Sequence, residues 1–250
     1  MQSTAQHSLV PDWPAPPGVH ACVTTRQLAG RSQPPFDRCN LGNRCGDDPA
    51  VVAANRASLV DLLDLPAAPL WLHQVHGINV LDADHFRAGD VEANADAAVA
   101  RTARTVLAVL TADCLPVFFC SADGDEVAIA HAGWRGLANG VLEATLSVMQ
   151  TRPSGILCWI GPSIGAMSYE VGPEVRDAFV ERDNATAIAF SQTRPGHWLC
   201  DLPALARHRL RAAGIERISG GEFDTRSDPR FYSFRRDPHC GRFASLIWRS

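Results

Sequence analysis

The feature that most constrains this chain lies over 105–120. The stretch is almost wholly apolar, β-branched or aromatic, yet Thr111-Ala112-Asp113-Cys114 interrupts it. Such a run predicts two buried strand pieces with polar chemistry set between them. A short strand over 126–132 ends in His131. Gly133-Trp134-Arg135-Gly136 then turns the chain, and 137–149 reads as one amphipathic helix. A further buried strand over 156–160 runs into Gly161-Pro162-Ser163-Ile164-Gly165.

Elsewhere the local signals are weaker. A proline-rich arm over 1–18 should be extended, followed by a strand over 19–25 and a loop over 26–48. Asp48-Pro49 opens a helix that runs to about Leu63, with Asp as N-cap and Pro at the first helical position. The segment 70–81 reads as a strand carrying His73 and His76. Helices are expected over 173–182 and from Asp201, with Pro203 near the second one's start and Gly214 at its end. Strands are expected over 215–219 and 243–248. Strands and helices alternate without a regular βαβ rhythm, which favours an α+β fold over a doubly wound one.

Bulk composition removes several function classes. With 250 residues and 46% hydrophobic content, the chain can bury the core of one large domain or two small ones. A net charge of −4 gives no reason to expect nucleic acid or an anionic membrane as a partner. All 23 basic residues are arginine, which excludes a Schiff-base or P-loop lysine. The eight cysteines include no C-x-x-C pair and read as thiols, most of them small core residues. The first residues lack the basic and apolar regions of a signal peptide, and no apolar run approaches the roughly 20 residues of a membrane span. The expectation is a soluble, cytoplasmic protein.

Three segments place metal-competent side chains at the ends of apolar strands: His73-Gln74-Val75-His76-Gly77, Thr111-Ala112-Asp113-Cys114 and His131-Ala132-Gly133-Trp134-Arg135-Gly136. Glycines beside His76 and His131 allow a ligand or backbone to come close. Two imidazoles and a thiolate suit zinc, and three protein ligands leave a fourth position for water or substrate. The same residues equally read as packed or hydrogen-bonded core groups. In a strand, positions 73 and 76 point to opposite faces, so both would not serve one metal without a bend. Asp113 would orient a ligand imidazole or accept a turn hydrogen bond. Asn40 would bind a ribose or base, or close an Asx-turn. Of Arg26, Arg56, Arg135, Arg235 and Arg236, one or two would hold an anionic co-substrate, with structural ion pairs as the alternative for each. Gln74 would contact substrate or line its strand.

The segments HQVHG, TADCLPV, HAGWRG and IGPSIG…YEVG occur in the order and spacing of the YfiH-like laccase-domain family, which this chain resembles from about Pro11 onward. Asn40-Leu41-Gly42, Gly46-Asp47-Asp48-Pro49, Asn55-Arg56 and the tail Phe231-Tyr232-Ser233-Phe234-Arg235-Arg236-Asp237 belong to the same match. The resemblance implies one domain over 1–250 with mixed sheets in layers and helices outside. It implies one zinc per chain, held by His76, Cys114 and His131. One departure is Asp224-Thr225, where the family usually carries Cys-Thr.

The implied activity is phosphorolysis of adenosine, inosine, guanosine and S-methyl-5′-thioadenosine, with adenosine deamination in the same site. Zinc deaminases pair the metal with a glutamate, and no such residue is evident in the sequence. A copper-dependent polyphenol oxidase is the alternative carried by the family name. Nine scattered histidines without a His-x-His pair are too few for several coppers, although a His₂Cys set can hold one. A Cys114–His131 hydrolase, an editing factor for peptidoglycan precursors and a non-catalytic binding module complete the alternatives, the last disfavoured because purely structural zinc takes four protein ligands.

Overall fold

The apolar stretch over 105–120 folds as two strands, Leu107–Thr111 and Leu115–Ser121, and they belong to different sheets. The polar interruption is the corner at which the chain crosses from one sheet to the other. This computed structural model describes residues 8–86 and 92–250.

The larger sheet has six strands in the order Arg217–Gly220, Ile156–Ile160, Leu115–Ser121, Val127–Ala132, Ala97–Ala100 and Val80–Asp82. Its outer pairs are parallel and its inner pairs antiparallel. The second sheet orders Ser8–Leu9, Val19–Thr24, Phe243–Arg249 and Leu107–Thr111, all antiparallel.

Side-chain alternation builds three cores from these two sheets. Leu115, Val117 and Phe119 enter a core beneath the helices Trp134–Asn139, Val141–Val148, Pro173–Val180 and Leu202–Ala212. Phe118 and Cys120 of the same strand point the other way, into the core between the sheets, where they meet Val109, Phe243 and Ile247. On the outer face of the smaller sheet, Ala108 and Leu246 pack with Leu59 of the helix Pro49–Leu63. The result is a four-layer α+β arrangement. Each fully buried Leu, Val or Phe contributes about 1.5–3 kcal/mol relative to exposure, against the entropy of ordering the chain.

Most expected elements are present within a residue or two, and the helix opened by Asp48 is one of them. The Asp48 carboxylate accepts the Ala50 N–H at 2.8 Å, and the helix ends at Leu63. Three expectations are corrected. The segment 70–81 is not one strand: Leu72–His73 and Val80–Asp82 flank a bend in which His76 has φ +59°. The helix over 137–149 is two helices, because Gly140 adopts φ +104° and donates its N–H to Gly136 and Leu137 carbonyls. The first of them starts at Trp134, so the turn over 133–136 is already helical. The extended arm falls partly on residues 1–7, outside the described residues, and its next two residues form an edge strand paired with Val23 and Thr24. A three-stranded antiparallel sheet of Glu170–Val171, His197–Cys200 and Phe190–Arg194 was not anticipated, since its segments are short and largely polar. No helix among the described residues is long and apolar enough to cross a membrane.

Candidate metal centre

The sheet register brings the first two candidate ligands together. Pro116 pairs with His131 and Leu115 with Ala132, so Cys114, one residue before the ladder, lies across from Gly133. An ideal Cβ on Gly133 would sit 2.7 Å from His76 Cδ2 and 3.1 Å from Cys114 Sγ. Only a residue without a side chain leaves room for His76 to close over the pair.

His76 reaches this point because the chain bends around a carboxylate. Asp96 accepts the backbone N–H groups of Val75 at 3.2 Å, His76 at 2.9 Å and Gly77 at 2.7 Å. Those bonds replace a strand ladder and remove the opposite-face constraint on His73 and His76. His73 stays in its short strand, paired with Asn94, and does not line the cleft.

The three ligand atoms of His76, Cys114 and His131 lie within 4.8 Å of one another. His76 Nε2 is 3.7 Å from Cys114 Sγ, and the two imidazoles meet edge to face with centroids 4.7 Å apart. Asp96 Oδ1 is 2.8 Å from His131 Nδ1. With that nitrogen's proton given to Asp96, Nε2 is left facing Cys114. Aspartate, histidine and an open nitrogen in series form the arrangement that orients an imidazole for a metal.

Charge favours an ionised thiol here. Burial raises the Cys114 pKa, but the facing His131 charge and hydrogen bonds from both histidines outweigh it and bring it down. Burial lowers that of His131, and the Cys114 and Asp96 charges and bonds more than reverse this. The other buried thiols behave oppositely: burial pushes Cys22, Cys39 and Cys120 up to about 12. A thiolate with two imidazoles, open on one side, fits a tetrahedral zinc with a free position.

The trio lies in a cleft of about 510 Å³, ample for a small organic substrate. Gln74, Asp113 and Arg135 line it with the trio; Asn40 and Arg56 do not. The Gln74 amide is spent on Leu110, donating to its carbonyl at 2.8 Å and accepting its N–H at 2.7 Å. Asp113 touches no imidazole. Its carboxylate accepts the Thr225 hydroxyl and the Arg235 N–H, each at 2.6 Å, while its carbonyl accepts Ile164 N–H. It therefore ties four segments around the corner, with its own φ at +95°. Arg135 lies 4.4 Å over the Trp134 ring and makes no ion pair among the described residues.

Asn40 is fully buried and closes the Asx-turn to Gly42 N–H at 2.9 Å. The same oxygen accepts Arg242 N–H at 2.8 Å. Arg56 pairs with Glu92 at 2.7 Å, donates to the Leu41 carbonyl and stacks over Trp71. Asp96 is the residue that the motifs did not reveal. Its signal is faint: a lone acid entering the small-residue strand Ala97–Ala100, all of it buried. Asp224 also acquires a place, accepting Gly165 N–H at 2.9 Å and the Ser168 hydroxyl at 2.6 Å.

The chain is similar to known proteins over nearly its whole length. The family model described as multi-copper polyphenol oxidoreductase laccase matches residues 20–250. A purine nucleoside phosphorylase of Xylella fastidiosa is 53% identical over 249 residues, 96% of each chain. Purine nucleoside phosphorylase YfiH of Escherichia coli is 49% identical over 243 residues, 96% of this chain and 98% of its own. The crystal structure of a Neisseria meningitidis protein superposes with a TM-score of 0.93 at 42% identity, covering 98% of this chain and 99% of that one. YlmD from Geobacillus stearothermophilus superposes with a TM-score of 0.89 at 32% identity, covering 99% and 98%. In sequence and in fold, then, the chain belongs to the YfiH-like laccase-domain family.

Proposed function

We propose that this protein is a zinc-dependent purine nucleoside phosphorylase acting on adenosine, inosine, guanosine and S-methyl-5′-thioadenosine. The observation that carries the reading is the convergence of His76, Cys114 and His131 in one open cleft, in a chain about half identical to proteins named purine nucleoside phosphorylase. His76, Cys114 and His131 would hold one zinc ion, which when bound supplies a Lewis acid at the fourth, open position. Asp96 holds the His131 ring and the His76 backbone in register. Asp113 fixes the corner that carries Cys114, and Arg135, at the cleft wall and without an ion pair among the described residues, contacts the nucleoside. Substrates are small molecules; neither nucleic acid nor a membrane is a partner in this reading, and the cytoplasm is where nucleosides and phosphate would meet it.

Adenosine deamination is the second activity of the proposal. It replaces the 6-amino group by the oxygen of water, releasing inosine and ammonia. Among the described residues the cleft lining contains no glutamate, and its aspartate is committed to Thr225 and Arg235. Conversion of adenosine to inosine without phosphate is the measurement that decides this part.

The test is incubation of metal-quantified protein with adenosine and inorganic phosphate. Adenine and ribose 1-phosphate in equal amounts are expected. Absence of both, with phenol oxidation scaling with bound copper, would replace the reading by the polyphenol oxidase. Activity in fully metal-free protein that thiol alkylation abolishes would replace it by a Cys114–His131 hydrolase. Cys114→Ala is expected to lose zinc and phosphorolysis while keeping the wild-type unfolding transition; full zinc stoichiometry in that variant would reject the ligand assignment.

A further inference from the structure

Phosphorolysis needs a second binding site, for an oxyanion, and the committed and uncommitted polar groups of the cleft indicate where it lies. Among the described lining residues Asp113 is the one carboxylate, and both its oxygens are occupied. The charge of Arg44 is paired with Glu92 at 2.6 Å. Arg135, Arg235 and Arg242 face the same cleft without a carboxylate partner among the described residues. The chain as a whole carries a net charge of −4, so this uncompensated positive wall is local.

Two of the three are held for binding. Arg235 lies 5.0 Å over the Tyr169 ring and donates one Nη1 bond to the Glu170 carbonyl at 2.8 Å. Arg242 lies 5.9 Å over the Phe234 ring, and its Nη1 donates to the carbonyls of Cys240 at 2.9 Å and Gly241 at 3.0 Å. In each, an aromatic ring lies within about 6 Å of the guanidinium carbon, the range of a cation–π contact, and backbone oxygens fix one corner. Nε and Nη2 of both make no hydrogen bond among the described residues, and that edge is the fork that binds oxyanions bidentately. Arg135 has a ring beneath it and, among the described residues, no such anchor. Both anchored arginines come from the tail segment that carries Phe234, and Arg242 directly precedes Phe243, the ladder partner of Thr111. The tail is thereby registered on the strand that leads to Cys114.

We propose that Arg235 and Arg242 form the phosphate subsite of the cleft; the proposal rests on the phosphorylase reading above. Hydrogen phosphate held there attacks C1′ of the ribose. A C1′–O bond forms and the C1′–N9 bond breaks. The electron pair leaves with the purine, which takes up the proton the phosphate carried, giving free base and ribose 1-phosphate.

The test is the initial rate of inosine phosphorolysis by the metal-loaded full chain, with inorganic phosphate varied at saturating inosine. Arg235→Ala and Arg242→Ala should each raise the phosphate KM about tenfold or more, the loss expected for a hydrogen bond between charged groups. The inosine KM should change less than about twofold, and Arg135→Ala should show the reverse pattern. Arg235→Lys and Arg242→Lys, which retain charge without the fork, should fall between wild type and the alanine variants; they serve in place of any alanine variant that fails to fold. Unchanged phosphate KM in both tail variants, or an effect confined to Arg135→Ala, would overturn the proposal. If the wild-type protein phosphorolyses no purine nucleoside, the functional reading fails and the subsite is judged alone by ³¹P NMR titration with inorganic phosphate. Binding that the tail variants abolish would uphold the subsite, and no binding to wild type would remove it.

Discussion

At the scale of single residues, two positions that bind nothing themselves control the centre. Asp96 accepts three backbone N–H groups and faces His131. An asparagine there keeps the shape but loses the charge and places an amide NH₂ against some of those donors. Outer-shell partners of this kind are worth about 10–100-fold in metal affinity. Asp96→Asn should therefore weaken zinc by that factor in competition with a chromophoric chelator, and an unchanged affinity would deny Asp96 its role. Gly133→Ala is predicted from sterics alone. The new methyl would lie 2.7 Å from His76 Cδ2, so the ring must withdraw. Zinc stoichiometry should fall while the far-UV circular dichroism stays that of wild type; full stoichiometry would show that the strand end yields instead. These two residues also mark the limit of what the sequence discloses. His76, Cys114 and His131 were legible because their types are metal-competent and the motifs HQVHG, TADCLPV and HAGWRG of the family resemblance carry them; residue type alone left them equally readable as core groups. Asp96 was not, since a lone acid before Ala97–Ala100 has no spacing signature. Asn40 and Arg56 drew attention as motif residues, but their partners Arg242 and Glu92 lie 202 and 36 positions away.

At the scale of elements, the edge strand Val80–Asp82 shows how charge holds a weak piece of sheet. Three residues of ladder to Ala97–Ala100 are supplemented by Asp84, which accepts the backbone N–H groups of Arg101 and Thr102 and pairs with the Arg101 side chain at 3.1 Å. Burial pushes the Asp84 carboxyl up, but the bonds from Thr102 and Arg101 outweigh it and hold it below its ordinary value. A carboxyl lowered on folding stabilises the protein above the unfolded pKa, about 3.9 for aspartate. That contribution fades as pH falls through the lower folded value. Asp84→Asn should cost about 1–2 kcal/mol in urea unfolding at pH 6, and the gap from wild type should narrow as pH falls below 4. A gap independent of pH would mean that the carboxylate's charge contributes nothing. The helix starting at Asp48 was readable because cap, proline and apolar run are contiguous. The bend at His76 was not, because the acceptor that creates it arrives 20 residues later. Gly140 was visible as a glycine, yet a break and a tolerated helical glycine look alike until the following turn is known.

At the scale of the whole molecule, the cleft exists because two sheets share one core and the chain passes between them at Asp113-Cys114. Fold class followed from the irregular alternation of elements, but strand order did not. The last strand, Phe243–Arg249, is inserted between Val19–Thr24 and Leu107–Thr111, and no local pattern announces a pairing across more than a hundred residues. Phe243 sits at this junction. It is fully buried, lies with its ring centroid 5.1 Å from that of Phe231, and packs in the core that also holds Phe118 and Trp159 of the larger sheet. If that core makes the chain one cooperative domain, damage at Phe243 must be felt in both sheets at once. Phe243→Ala should lower stability by about 3–5 kcal/mol. Unfolding followed by the fluorescence of the six tryptophans, which include Trp159 in one sheet and Trp248 in the other, should coincide with the loss of far-UV circular dichroism. Two separated transitions in the variant would show that the sheets are independent units, and the cleft would then be an interface between domains.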